Sequence, residues 1–144
     1  MFDGLDCSVQ ALLVQPRDLL RWLDRVQPHI EKMADGSGGR YRASDIYAAL
    51  SVGEMMLWAA IEGEHLLAIM LTEIVRYPRC RAMRCIGISG HRAHRWMHLM
   101  RDVEKAARER FGCDRMEALH TPRHAALLQT GGWQTFHALS EKLL

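Results

Sequence analysis

Residues 81–111 read RAMRCIGISGHRAHRWMHLMRDVEKAARERF. The first eight, 81–88, predict a buried strand. Ser89-Gly90 predicts a turn that carries His91, Arg92, His94 and Arg95. Beyond it, Trp96, Leu99, Met100, Val103, Ala106 and Ala107 share one stripe of a long helix ending at Phe111. Arg101, Asp102, Lys105, Arg108 and Glu109 take the wet face, and Gly112 suits the residue after the helix. A strand that enters a helix through a glycine-containing turn can bind phosphate. Backbone N–H groups point outward there, and the helix dipole favours an anion. Between Arg76 and Arg95 the chain has six arginines and no acidic residue. Guanidinium forks match phosphate oxygens, although the same cluster also reads as a solvated strand-and-loop face.

Upstream, the longer strand predicted over 66–77 sends Leu67, Ile69, Leu71, Glu73 and Val75 one way and Leu66, Ala68, Met70, Thr72 and Ile74 the other. Both faces are mainly apolar, as in a central strand covered on two sides. Glu62-Gly63-Glu64 joins it to a strand over 55–61, an antiparallel hairpin. Before that hairpin, 7–14 reads as a first strand. Pro16 then opens a helix with Leu19, Leu23, Val26, Ile30 and Met33 on one face. Pro28 is expected to kink that helix or divide it in two. The run DGSGG at 35–39 breaks the pattern, and Ser44 is the expected N-cap of a short helix over 45–50.

Downstream, 115–120 reads as a strand. Thr121 and Pro122 read as N-cap and first position of a helix over 123–129, which Gly131-Gly132 ends. Residues 133–139 alternate weakly and predict a last strand. Antiparallel strands in the middle with helices around them indicate an α+β domain, one over residues 1–144.

Composition is ordinary, with 49% hydrophobic residues, 25% charged and a net charge of +2, so no polyanionic partner is demanded. The arginine cluster has no nucleic-acid reader motif or interleaved aromatics, and a nucleic-acid role is not expected. Cys7, Cys80, Cys85 and Cys113 form no CxxC, which indicates reduced, buried or half-buried thiols in a cytoplasmic protein. No apolar run is long enough for a membrane helix, and the polar N-terminus is no signal peptide. The eight histidines include the pairs His94/His98 and His120/His124, but no HExxH and no acid at a useful spacing, so no metal site is expected.

This element order resembles the GNAT superfamily of acyl-CoA-dependent N-acetyltransferases, and also small GNAT-like proteins of bacteriophages, some of them virion components. The turn and helix from Ser89 resemble the family's pyrophosphate loop. There the loop reads Gln or Arg, two residues, Gly, any residue, Gly or Ala; here Gly90 and Ala93 are the small residues of Ser89-Gly90-His91-Arg92-Ala93-His94. Residues 125–133, AALLQTGGW, resemble the closing helix and its Gly-aromatic end, with Leu128 where the family often keeps a tyrosine acid. The resemblance implies a mixed central sheet flanked by helices. It further implies acetyl-CoA as co-substrate, bound by Ser89, Gly90, His91, Arg92, Ala93, His94 and Arg95, with the oxyanion donor a backbone N–H within Ile86 to Ile88. The loop 36–42, with Tyr41 and Arg42, is expected to help line the acceptor site.

Acetyl transfer needs a base for the ammonium. Glu73 is the first candidate: its predicted central strand would desolvate it, and it matches roughly where the family often keeps a glutamate. Pairing with Arg76 or Arg84 is its structural alternative. His120 is the second candidate base. The expected function is acetyl transfer to an amine on a small molecule or a protein. The alternative is a catalytically inactive GNAT-fold protein with a structural or interaction role, for example beside phage structural proteins in a virion. Homo-oligomers are expected if the final strand and the tail 140–144 pair across a dimer.

Overall fold

The computed structural model describes residues 8–120 and 125–144. A five-stranded sheet in chain order organises them: β1 (Gln10–Val14), β2 (Met56–Glu62), β3 (His65–Arg76), β4 (Arg81–Gly90) and β5 (Arg115–Ala118). β1 to β4 are antiparallel, and β5 joins β4 in parallel. Helices α1 (Leu19–Asp35) and α2 (Ala43–Ser51) cover one face. Helix α3 (Met100–Glu109) covers the other, and α4 (Ala125–Thr130) follows β5. This is the α+β, mixed-sheet arrangement expected from the sequence.

The two faces of β3 explain its double apolar pattern. Ile69 and Leu71 pack with Trp22, Val26, Ile30, Ile46 and Leu50 of the α1/α2 layer. Met70 packs with Met83, Cys85, Val103 and Ala107 on the α3 side. Buried Thr72 stays satisfied there by accepting a 2.9 Å hydrogen bond from Trp58 Nε1.

Several local expectations change. Pro28 neither ends nor divides α1, which continues through it. It lies on the exposed face, where water can satisfy the carbonyl left without its helical partner. The α2 N-cap is Arg42, not Ser44: Asp45 reaches back to accept from the Arg42 N–H at 2.9 Å, so Ser44 falls inside the first turn. Residues 133–139 form no strand; Trp133 is partly buried and the rest of that segment is exposed. β5 stops at Ala118 rather than 120. Cys7 and the Thr121-Pro122 cap lie outside the described residues.

The turn after β4 moves most. Ser89 and Gly90 are strand residues, paired with Ile69 and Ala68. The chain turns at Arg92, whose φ is 55°, the left-handed region. Two 3-10 turns follow, Ala93–Arg95 and Met97–Leu99, before α3 opens at Met100. Trp96 separates them with φ of −130°; its ring is buried and its Nε1 donates to the His91 carbonyl at 2.7 Å. Burying that indole interrupts the long helix expected from the apolar stripe. Its dipole therefore acts at Met100 rather than at the turn.

Candidate active site

The site is set by how β4 and β5 part. They pair from Ala82/Arg115 to Cys85/Ala118, and β4 then continues to Gly90 without β5. A bulge sits at that point. Leu71 pairs with Gly87 and Thr72 with Cys85, leaving Ile86 as the extra residue on β4. The bulge turns both Ile86 and Gly87 toward the α1/α2 side. Ile86 packs on that core, and a Cβ on Gly87 would meet Met33 Sδ of α1 at 3.4 Å. Ile88 faces away, 42% exposed, beside a small apolar cavity of about 40 Å³ under Trp96 and Val103. Ile86 and Ile88 thus border the parted strands, where an oxyanion donor was expected.

The loop residues divide by role. Ser89 is buried, and its Oγ lies 2.8 Å from His29 Nδ1 of α1. Gly90 is pressed against β3, where an added Cβ would stand 2.4 Å from Ala68 Cβ and 2.7 Å from the Leu67 carbonyl oxygen. Its missing side chain lets β4 sit close against β3. Arg95 pairs with Glu62 at the end of β2, and Ser8 Oγ donates to the same carboxylate at 2.6 Å. His91, Arg92, Ala93 and His94 are exposed.

Glu73 is not surrounded by apolar groups alone. The sheet register sets Glu73, Arg84 and Glu117 in one row across β3, β4 and β5. Arg84 Nη1 is 3.8 Å from Glu73, and its Nη2 is 3.3 Å from Glu117. Tyr77 OH donates to Glu117 at 2.8 Å and accepts from Arg84 Nη2 at 3.0 Å. Burial works against the Arg84 charge, but Tyr77 and Glu117 outweigh it, and the Arg84 pKa is raised. Arg84 thus directs its hydrogen bonds to Tyr77 and Glu117, and Glu73 stands at the outer reach of an ion pair with it, the pairing that the sequence had left open beside the base role. His120 is half-buried, two residues past β5.

Two features escaped the sequence reading. Arg84, Glu117 and Tyr77 form one network, legible only from strand register. His29 meets Ser89, 60 residues away in the chain. Its pKa is lowered, chiefly by burial and then by His91 and Lys32, so the neutral ring is favoured. A sequence signal existed: His29 stands beside Ile30 and one turn from Val26 and Met33, on the flank of the buried stripe.

Elsewhere, Tyr41 packs on the α1/α2 core and Arg40 pairs with Glu141 at 2.6 Å, tying the loop 36–42 to the C-terminal segment. A cleft of about 500 Å³ between α3, β5 and Gly131 to Phe136 lies at the closed end of the parallel pair, away from the parted strands. Among the described residues no three His, Cys, Asp or Glu side chains converge as metal ligands, and no helix is long and apolar enough to cross a membrane.

No family model matches this sequence, and no curated protein is significantly similar to it. Solved structures are similar throughout. A GCN5-related N-acetyltransferase from Ralstonia eutropha JMP134 is 18% identical with a TM-score of 0.69, covering 94% of this chain and 98% of that one. A predicted acetyltransferase with acetyl-CoA from Clostridium acetobutylicum is 10% identical with a TM-score of 0.65, covering 94% and 96%. A ribosomal-protein-alanine N-acetyltransferase from Brucella melitensis is 14% identical with a TM-score of 0.63, covering 94% and 97%. The chain has the GNAT acetyltransferase fold, over nearly its whole length.

Proposed function

We propose that this chain binds an acyl-CoA between β4 and β5 and transfers its acetyl group to an amine. The observation that carries the reading is the open edge of β4 from Ile86 to Gly90, beginning at a bulge. An extended amide chain can add to such an edge as a strand does. The exposed Arg92 and His94 beyond it suit the phosphates at the far end of the same ligand. The Clostridium acetobutylicum neighbour, solved with acetyl-CoA, supports that ligand class. Backbone N–H groups around Ile86 to Ile88 are the proposed oxyanion donors. Glu73, 3.8 Å from Arg84, and His120, two residues past β5, are the bases expected from sequence.

Calorimetric titration with acetyl-CoA tests the proposal. Single-site binding in the micromolar range is expected, weakened at least tenfold by Arg92→Glu combined with His94→Glu. Absence of binding up to millimolar acetyl-CoA sinks it.

A second reading keeps the fold without the reaction, as an interaction or structural component, the virion role included. It is favoured by the exposed apolar side chains Phe136, Leu139, Leu143 and Leu144 after α4. Light scattering decides that point: a strictly monomeric chain that takes no partner argues against it.

A further inference from the structure

Resting on the acyl-CoA reading, we propose that His29 is the group that takes the proton from the amine acceptor, with Ser89 orienting its ring. Three observations place it there. α1 lies along the part of β4 that β5 leaves open, with Met33 over Gly87 and His29 over Ser89. Those two contacts are one pleat repeat apart, roughly 7 Å. His29 thus sits within one pleat of the bulge, on the side of the sheet that α1 covers. The second observation is the 2.8 Å contact between His29 Nδ1 and Ser89 Oγ. In the productive tautomer Nδ1–H donates to Ser89, and Nε2 holds the lone pair. Ser89 is itself buried, so the orienting bond is shielded from water. The third is the position of the other candidate bases: Glu73 lies 3.8 Å from Arg84 on the half of β4 that β5 pairs, and His120 is two residues past β5, whereas His29 stands over the open half.

The groups facing His29 favour the neutral ring. His91 follows β4 and Lys32 is on α1; both oppose a further positive charge, in addition to burial. A neutral imidazole is the form that can accept a proton.

The step balances without another reactant. The amine lone pair forms the N–C bond to the thioester carbon, and one N–H proton passes to His29 Nε2. The C–S bond then breaks, and the imidazolium returns that proton to sulfur. An amide and a free thiol result. His29 would then also do the work of the tyrosine acid whose expected place holds Leu128.

The test combines binding with turnover. Acetyl-CoA is titrated calorimetrically into the wild type, His29→Gln, His29→Ala and Ser89→Ala, each checked for a native melt. Release of free CoA is followed with benzylamine as the amine probe, from about pH 5 to 9. All four proteins are expected to bind acetyl-CoA within about threefold of one another. Wild-type turnover should rise through one ionisation with its midpoint below the ordinary histidine value. His29→Gln should lose about 100-fold and lose that ionisation. Ser89→Ala should keep the ionisation, moved in midpoint, at a rate reduced about tenfold. Added imidazole should restore part of the His29→Ala rate, which a merely structural role would not allow. Failure of the wild type to bind acetyl-CoA defeats the acyl-CoA reading and this inference together. Binding with no CoA release defeats the transfer half of the acyl-CoA reading together with the inference, and a His29→Gln protein that keeps the wild-type rate and pH profile overturns the inference alone.

Discussion

Replacing Gly90 by alanine sets a methyl carbon into space already filled. Its ideal position is 2.4 Å from Ala68 Cβ, 2.7 Å from the Leu67 carbonyl oxygen and 2.8 Å from Ala68 Cα. Two of these three are backbone atoms of β3, so no side-chain rotation relieves the clash. The strands must move apart where Gly90 pairs with Ala68 and where the His91 N–H donates to the Leu67 carbonyl at 3.3 Å. Gly90 does not have positive φ, so the cost is steric rather than conformational. Overpacking of this kind costs about 1–3 kcal/mol, and backbone contact argues for the upper end, about 3 kcal/mol. For a chain of this length that lowers Tm by roughly 10 °C. Gly87→Ala is the internal control. Its nearest neighbour is the flexible Met33 thioether at 3.4 Å, so a loss below about 1 kcal/mol is expected. Thermal and urea unfolding of both variants, followed by circular dichroism, measure the difference. A Gly90→Ala protein as stable as the wild type that has lost acetyl-CoA binding would refute the reasoning. It would return Gly90 to the phosphate-loop role expected from sequence.

Other consequences are equally direct. Trp58→Phe removes the donor to buried Thr72 and should cost about 2 kcal/mol in urea unfolding, with Thr72→Val in the same background recovering part of it. Burial pushes the Cys85 thiol up to about 12 and raises that of Cys113, so in the native state at mildly alkaline pH both should resist a thiol reagent that labels Cys80. The lowered His29 pKa makes stability pH-dependent, because the unfolded chain binds the proton more readily. The contribution is fully present above the unfolded histidine value and is lost as pH falls through the folded one; the stability difference between pH about 7.5 and 5.5 should shrink in His29→Gln. An unchanged difference would mean that His29 is protonated alike in both states.

What local pattern encodes was legible. Two-residue alternation and the 3.6-residue stripe report which face of an element is apolar, and they located β2 to β4, α1, the stripe of α3 and the two-sided burial of β3. Gly112 does take positive φ, 66°, but α3 ends at Glu109 with Arg110 as its C-cap, two residues before the expected end at Phe111, so Gly112 lies one residue beyond the C′ place. Pattern does not encode partners. Whether Glu73 is a desolvated base or one end of an Arg84–Glu117 row depends on strand register across β3, β4 and β5. Whether Ser89 faces a phosphate or the imidazole of His29 depends on where α1 crosses the sheet. That a side chain at Gly90 would collide with β3 is likewise beyond what sequence shows. The long amphipathic stripe around Trp96 looked like uninterrupted helix because sequence cannot show the indole turning in to bond the His91 carbonyl. The sequence by itself determined the elements and their buried faces, since those follow from near-neighbour periodicity. The tertiary structure alone decided which polar groups meet, since contacts such as His29 with Ser89 and Glu73 with Arg84 arise only when helix and strands are set in register against one another.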